Sequence, residues 1–412
     1  MARIYSLLLY LALPLALLRL LWKSRRTPAY RKRWRERLGL YDGAPLDAEI
    51  WIHAVSVGEA QAAAPLVKHL LDHHPDARVM VTTTTPTGSQ RVRDLFEDRV
   101  RHVYTPFDLL PVMRRFLDAV RPTMAVVMET EIWPNMLRIC GDRGIPVILA
   151  NARLSEKSAQ GYARLGSFTR ATFGRLSAVA AQSPQDAERF RALGVPAERI
   201  QVTGSLKFDV RLPGSLLDQA EVMRRVWGTE RPVWVAASTH EDEEEQVLAA
   251  HRQILRRLPQ ALLVLVPRHP ERFDRVAALV TRQGLTLARR SAGKTCEPAT
   301  RVFLGDTMGE LPVFLAAADA AFIGGSLVPV GGHNLLEAAA VGVPAATGPQ
   351  FFNFAAIVEL LVAEDAAVVV RDGTELGRLM VRWLTDAAER ARLGENGRRV
   401  VEENRGALDR LL

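Results

Sequence analysis

The sequence predicts an α/β protein of two doubly wound, Rossmann-like domains behind an N-terminal apolar helix. Three observations carry that prediction. From Ala48 onward, short strand-type apolar runs alternate with helical periodicity, and the alternation restarts after residue 214. At 412 residues the chain can form two domains, each with its own core. Its beginning is apolar over a run long enough to meet a membrane.

That run, Ile4 to Trp22 (IYSLLLYLALPLALLRLLW), reaches about 28 Å as a helix, close to the hydrocarbon thickness of a bilayer. Pro14 is a candidate kink, and Arg19 has to snorkel. A cleaved signal peptide competes with a retained anchor, but its order is basic, apolar, then small residues at a cleavage site. Here Lys23, Arg25, Arg26, Arg31, Lys32, Arg33, Arg35 and Arg37 follow the apolar run, and no A-x-A site stands there. This order favours a retained anchor with the body on the cytoplasmic side. Tyr30, Trp34 and Leu38, at i, i+4 and i+8, predict a short amphipathic helix. Such a helix suits an anionic lipid surface or packs on the next domain.

The basicity is local. Residues 1–41 hold ten Lys or Arg and one acid, Glu36, a net +9, whereas the whole chain is +8. The body, 42–412, therefore carries about −1 (8 minus 9). A nucleic-acid enzyme more often spreads positive charge over its catalytic body, so no nucleic-acid partner is expected. Cys140 and Cys296 are too few and too isolated for a disulfide framework or a cysteine metal site.

In the first series the strands are Ile50 to Val55, Arg78 to Thr83, Val103-Tyr104, Met124 to Met128, Val147 to Ala150 and Ser177 to Ala181. Between them, helical patterns cover Glu59 to Leu71, Thr87 to Phe96, Val112 to Val120 and Trp133 to Arg143, with another from Pro184. The second series begins after Asp209-Val210-Arg211-Leu212-Pro213-Gly214. Its strands are Val233 to Ala237, Ala261 to Val266, Val302 to Leu304 and Ala320 to Ile323. Its helices are Glu241 to Arg257, Glu271 to Gln283, Leu311 to Ala317 and Leu335 to Val341, with closing helices over 374–412. The expected division is an anchor and basic segment at 1–41 and domains at 42–207 and 208–412. In such sheets ligands bind beyond the carboxyl ends of the strands, and a cleft between facing domains is the expected place.

The stretch 323–344 is the most specific. A strand ends in Gly324-Gly325-Ser326; Gly331-Gly332-His333-Asn334 follows, and a helix opens with Glu337 in its first turn. Glycines admit a ligand close to the backbone, and a helix start offers N–H groups to an anion, with Asn334 as N-cap. Glu337 suits sugar hydroxyls. A plain βα turn explains the glycine spacing alone, but not the added Ser326, His333, Asn334 and Glu337.

Other strand ends carry carboxylates and cations. Ser56-Val57-Gly58-Glu59 follows the first strand; Glu59 is a candidate general base there, or an acid that merely stabilises a helix start. In Met128-Glu129-Thr130-Glu131-Ile132-Trp133-Pro134-Asn135, two carboxylates close in sequence are expected to raise one pKa. They suit acceptor hydroxyls, or one is the base instead of Glu59. Arg153 suits an anionic substrate or a carboxylate of that motif, and Lys207 an acidic sugar or phosphate. The acid run Glu241 to Glu245 points in different directions along a helix and makes no metal cage. Thr239 as N-cap, with acids complementing the dipole, explains it better. Ser238 and His240 remain as cleft residues. Arg268 suits a phosphate, and the loop Gly305 to Glu310 a base edge. The sequence has no GxxxxGK[ST] loop, no G-x-S-x-G and no H-E-x-x-H, and lacks G-x-G-x-x-G after its first strand.

Together HAVSVGE (53–59), METEIWPN (128–135), NARLS (151–155), TGSLKFD (203–209), STHEDEEE (238–245), PRHPER (267–272), DTMGEL (306–311) and GGSLVPVGGHNLLE (324–337) resemble one family over nearly the whole chain. It is the 3-deoxy-D-manno-octulosonic acid (Kdo) transferases of Gram-negative lipid A assembly. The resemblance implies a GT-B fold and inverting transfer from CMP-Kdo to a lipid A precursor of lipid IVA type. It places the reaction at the cytoplasmic face of the inner membrane, with no cofactor and no metal. It implies Glu59 as base, helped by Glu129 or Glu131, with Ser56, Gly58 and Arg153 on the acceptor side. For CMP it implies Arg268, His269 and the 324–334 loop (Gly325, Ser326, Gly332, Asn334) at the phosphate, and Glu337 at the ribose. Met308, Gly309 and Glu310 would lie near cytosine, and Lys207, Ser238 and His240 would face the cleft. Two positions depart from the pattern: Ala338 stands where Pro is expected and Asp242 where Gly is expected. A UDP-sugar 2-epimerase and a membrane-tethered nucleotide-sugar binding protein are the competing classes. The first needs no anchor, the second no Glu59 at a strand end.

Overall fold

The computed structural model describes residues 1–41, 46–210, 212–293 and 296–412. The predicted start of the first domain at residue 42 and Arg211 of the predicted junction lie outside them. Two units form, Met1–Asp209 with Arg405–Leu412, and Val210–Asn404.

The first unit holds a sheet of β1 (Ile50–His53), β2 (Val79–Thr83), β3 (Arg101–Tyr104), β4 (Met124–Met128), β5 (Val147–Ala152), β6 (Ala178–Ala181) and β7 (Ile200–Val202). The order is β3-β2-β1-β4-β5-β6-β7, all parallel. Successive side chains enter opposite cores: Trp51, Met80 and Val127 pack on one face, and Ile52, Val81 and Val126 on the other. A parallel sheet covered by helices on both faces needs such two-sided apolar strands. The strand order reverses between β1 and β4, so the loops leaving them diverge and open a crevice at their carboxyl ends.

The second unit repeats the plan with β8 (Val233–Thr239), β9 (Leu262–Pro267), β10 (Leu287–Arg289), β11 (Val302–Leu304), β12 (Ala320–Ile323), β13 (Ala345–Thr347) and β14 (Ala367–Val369). The order is β10-β11-β9-β8-β12-β13-β14, again parallel, and the reversal falls between β8 and β12. Trp234, Phe322 and Trp383 are fully buried in its core.

Four departures from the sequence reading have local causes. The helix expected over Glu59 to Leu71 is two, Val57–Ala62 and Ala64–His73, because Pro65 cannot continue the first. The segment around Tyr30, Trp34 and Leu38 is not one helix. It forms short 3₁₀ turns at Pro28–Arg31 and Trp34–Leu38, separated by Arg33 at φ 57°. β7, β10, β13 and β14 have three residues each, too few to show a period. The second domain does not run to 412. The carboxylate of Asp209 accepts the N–H groups of Gly406 (2.7 Å) and Leu408 (2.6 Å), and Ala407 and Leu408 are buried beside Leu206 in the first unit.

The N-terminal helix is Ala2–Arg26, with Pro14 inside it. Only 6% of its most apolar window is buried. Leu7, Leu8, Leu11, Leu15, Leu18 and Leu21 are each more than half exposed. Near its start, the Tyr5 hydroxyl donates to Asp108 Oδ2 (2.9 Å) and Ser6 to Asn135 Oδ1 (3.1 Å).

Candidate active site

At the end of β1 the chain turns into a short helix through a reciprocal cap. Ser56 Oγ accepts the Glu59 N–H (3.2 Å) and donates to Glu59 Oε1 (2.8 Å); Glu59 Oε2 accepts the Val55 N–H (2.8 Å). Glu59 is 8% exposed. Burial, then the Glu131 carboxylate, push its pKa up to about 7 against the stabilising bonds from Ser56 and Val55. That value suits a group that must collect a proton near neutral pH.

At the end of β4, Glu129 is held at φ 53°, a backbone state disfavoured for any residue with a Cβ. Its carboxylate meets Arg153 Nε at 2.8 Å and Lys207 Nζ at 3.1 Å. Two cations on one carboxylate fix it in place. Glu131 Oε2 accepts from Trp133 Nε1 at 3.0 Å; burial, then Glu129, raise its pKa. Trp133 is braced edge-on by the buried imidazole of His53, with ring centres 4.9 Å apart. Asn151 near the end of β5 is also left-handed (φ 52°), and its Oδ1 accepts the Leu206 N–H beside Lys207 (3.0 Å). The expected pair of roles for Arg153 resolves onto the carboxylate. Lys207, grouped with the donor contacts from sequence, sits in the first unit and is engaged by Glu129. Gly58 and Ser56 are exposed beside Glu59.

The second unit has the corresponding crevice. Ser238, near the end of β8, is left-handed at φ 54° and breaks the register with β9. His240 and Glu243 follow, and Gly324 to Leu327 leave β12. Glu243 is fully buried. Its Oε2 accepts the N–H groups of His240 (3.1 Å) and Gly325 (2.7 Å), and its Oε1 those of Ser326 (3.0 Å) and Leu327 (2.9 Å). The glycine turn is therefore an anion nest already filled by the protein's own carboxylate. A Cβ on Gly324 would stand 2.7 Å from Glu243 Oε2.

This narrows the reading of the loop as a set of phosphate donors. The Gly325 and Ser326 amides are taken by Glu243. The Ser326 hydroxyl, fully buried, donates to Ile323 O (2.7 Å) and accepts from Gly348 N–H (2.8 Å). The helix after the loop is a single turn, Leu336–Ala340, too short to present much of a dipole. Asn334 Oδ1 does accept a first-turn amide, that of Leu336 (3.1 Å), and Glu337 lies in that turn. Gly332 is left-handed (φ 75°), and its N–H returns to Gly325 O (2.8 Å).

Around that loop stand imidazoles. His240 Nε2 and His333 Nε2 are 2.9 Å apart, and the ring of His269 lies 5.3 Å from that of His240, edge-on. Arg268 follows β9, half-buried. Met308 and Gly309 are exposed beyond β11. Glu310 is paired with Arg290 through three contacts of 2.7–3.2 Å, and that guanidinium holds its pKa below the usual range. Thr239 is not the helix cap expected; its hydroxyl donates to Glu244 Oε1 (3.1 Å), which Arg272 also binds at 2.6 Å.

A family model described as 3-deoxy-D-manno-octulosonic-acid transferase matches residues 32–210. A 3-deoxy-D-manno-octulosonic acid transferase of Haemophilus influenzae is 42% identical over 99% of this chain and 96% of its own length. The chain belongs to the 3-deoxy-D-manno-octulosonic acid transferase family. A Bordetella pertussis member is 38% identical, covering 95% of this chain and 94% of its own. The fold of this Kdo transferase also matches a solved putative UDP-N-acetylglucosamine 2-epimerase from Listeria monocytogenes. The TM-score is 0.53 at 14% identity, over 89% of this chain and 94% of that one. The two seven-stranded parallel sheets are those of a GT-B glycosyltransferase.

Asp242, near which the sequence reading expected a glycine, is left-handed at φ 65°. Asp242→Gly is expected to stabilise the protein by about 1 kcal/mol, the strain of a side chain in the left-handed region. The urea midpoint checks it; an unchanged or lower midpoint would refute the strain. Glu243 and His333 are the residues that sequence reasoning left without a role. Glu243 was hidden in an acidic run. His333, though noted in the loop, had no partner until the fold brought His240 to it.

Proposed function

We infer that this Kdo transferase moves Kdo from CMP-Kdo to a lipid A precursor of lipid IVA type. The reaction inverts the anomeric centre and takes place at the cytoplasmic face of the inner membrane. The observation that carries the mechanism is Glu59, a buried carboxylate at the β1–β4 reversal with its pKa near neutrality. Ionised Glu59 takes the proton of the acceptor hydroxyl as that oxygen attacks the anomeric carbon. One displacement with no protein nucleophile inverts the centre. Glu131 and the cation-bound Glu129 orient the acceptor with Ser56 and Gly58. In the second unit Arg268, His240 and His269 face the donor phosphate, Glu337 the ribose, and Met308 and Gly309 the base. The exposed leucines of Ala2–Arg26, followed by the basic segment, support anchoring in a bilayer with cytoplasmic basic flank. Purified full-length protein, labelled CMP-Kdo and a tetra-acylated lipid A precursor test the reading: label is expected in the lipid. Label released only as free sugar would overturn the acceptor assignment.

A further inference from the structure

The arrangement of His240 and His333 is unusual. Their ring planes differ by 8° and their centres are 5.1 Å apart, while the Nε2 atoms are 2.9 Å apart. Those distances place the rings edge to edge in one plane, joined by an N–H···N bond, and not face to face. Such a pair holds one proton between its two Nε2 atoms when neutral. One more proton makes it a cation.

Everything packed around the pair points to an anion. His269 lies edge-on to His240, and Arg268 and Arg272 add positive charge from the segment after β9. The neighbouring carboxylate of Glu243 has both oxygens engaged by four backbone N–H groups, and Glu244 is bound by Arg272. Gly325, left-handed at φ 66°, brings the loop against both rings; a Cβ there would stand 3.0 Å from His333 and 3.3 Å from His240. With the Gly325, Ser326 and Leu327 amides taken by Glu243, the imidazoles and Arg268 stand as the groups to meet a phosphate.

We propose that the His240–His333 pair is a proton-holding site that takes up one proton when the donor's phosphate binds and gives it to that phosphate as the sugar leaves. This rests on the reading of the second unit as the CMP-sugar site. The balance is complete. The acceptor oxygen bonds to the anomeric carbon and its proton goes to Glu59. The bond from the anomeric carbon to the phosphate oxygen breaks with its electron pair on that oxygen. The pair's extra proton moves to that phosphate, and the pair returns to neutral. Burial and the neighbouring cationic groups keep the free imidazoles neutral at physiological pH, His240 near 4 and His333 near 3. A phosphate bound against the rings opposes that bias by favouring the charged form.

The test uses the full chain in detergent and CMP itself. Calorimetric titrations at pH 7 and pH 8, above the phosphate's own ionisation near 6, in buffers of different ionisation enthalpy, count protons taken up on binding. An opposite charge raises a pKa by about 1–3 units, so wild-type protein is expected to take up a fraction of a proton per CMP, the fraction and the affinity both growing as the pH is lowered from 8 to 7. The double variant His240→Gln with His333→Gln keeps hydrogen-bonding side chains at both positions but has no imidazole of the pair left to hold the proton. It is expected to bind CMP without the wild-type uptake and with a flatter pH dependence. Wild-type uptake persisting in the double variant, or wild-type binding with no uptake, overturns the pair's role alone. Wild-type protein that binds no CMP overturns the donor-site reading, and the pair's role with it.

Discussion

Glu59→Gln is expected to lower Kdo transfer by about 10²–10⁴-fold, the usual worth of a general base, while leaving donor binding near wild type. The pH dependence supplies the sharper check. Glu59 has its pKa near 7 in the folded protein, against an ordinary value of 4.5. Only the ionised form accepts a proton, so wild-type turnover is expected to rise through pH 7 and level off above it. Glutamine removes that acidic limb. Stability moves the other way. Between pH 4.5 and 7 the folded state holds a proton that the unfolded chain has released, so stability falls as pH rises across that window. The cost is fully present above pH 7 and absent below 4.5. A shift of this size is worth at most about 3 kcal/mol. Glutamine keeps a carbonyl for the Val55 N–H and an amide for Ser56 Oγ, so Glu59→Gln is expected to melt higher than wild type at pH 8 and nearly level with it at pH 4.5. A variant of equal turnover would remove Glu59 as the base. A variant that melts lower at pH 8 would show that the capping bonds outweigh the burial of charge.

The same carboxylate shows how far the sequence could be read. β4, β11 and β12 are legible to the residue, because their apolar runs are bounded by turn residues and buried on both faces. Glu59 is legible because a strand pattern ends just before it and a helix pattern opens at it. Its proximity to Glu131 is not, since that depends on β1 and β4 being neighbours. Lys207 is separated from Glu129 by most of the first unit's second half, and only the order β4-β5-β6-β7 brings them together. The return of residues 405–412 to Asp209 is likewise a contact across almost half the chain. Periodicity reports what one segment buries. It is silent on which distant segment answers a polar group, and the polar groups are what distinguish this site from an ordinary α/β crevice.

Glu243 is where that limit matters most, and its replacement is the second large effect expected. Amides in succession after a parallel strand make an anion nest, and the natural occupant would be a phosphate. Here the occupant is internal, with four N–H groups at 2.7–3.1 Å on one fully buried carboxylate. In Glu243→Gln one oxygen still accepts, but the amide nitrogen turns donors against donors, leaving two buried N–H groups unanswered. At about 1–3 kcal/mol for each, the second unit is expected to lose roughly 2–6 kcal/mol. Glu243→Leu, with all four amides orphaned, is expected to lose more. The loop carries Gly325 against His240 and His333, so CMP affinity is expected to fall with it, seen as a raised KM for the donor before any change in kcat. Gly324→Ala offers the same test without touching the charge, because its Cβ would stand 2.7 Å from Glu243 Oε2 and 3.0 Å from two carbonyl oxygens. Urea unfolding and CMP titration of the three variants decide the matter. If Glu243→Gln keeps both its midpoint and its affinity, the carboxylate is not what shapes the loop, and the amides would then be available to a phosphate after all. If instead both fall together in all three, the phosphate is met by side chains on a loop whose shape is set from beneath. The imidazole pair, and not the glycine backbone, then becomes the chemical core of the donor site.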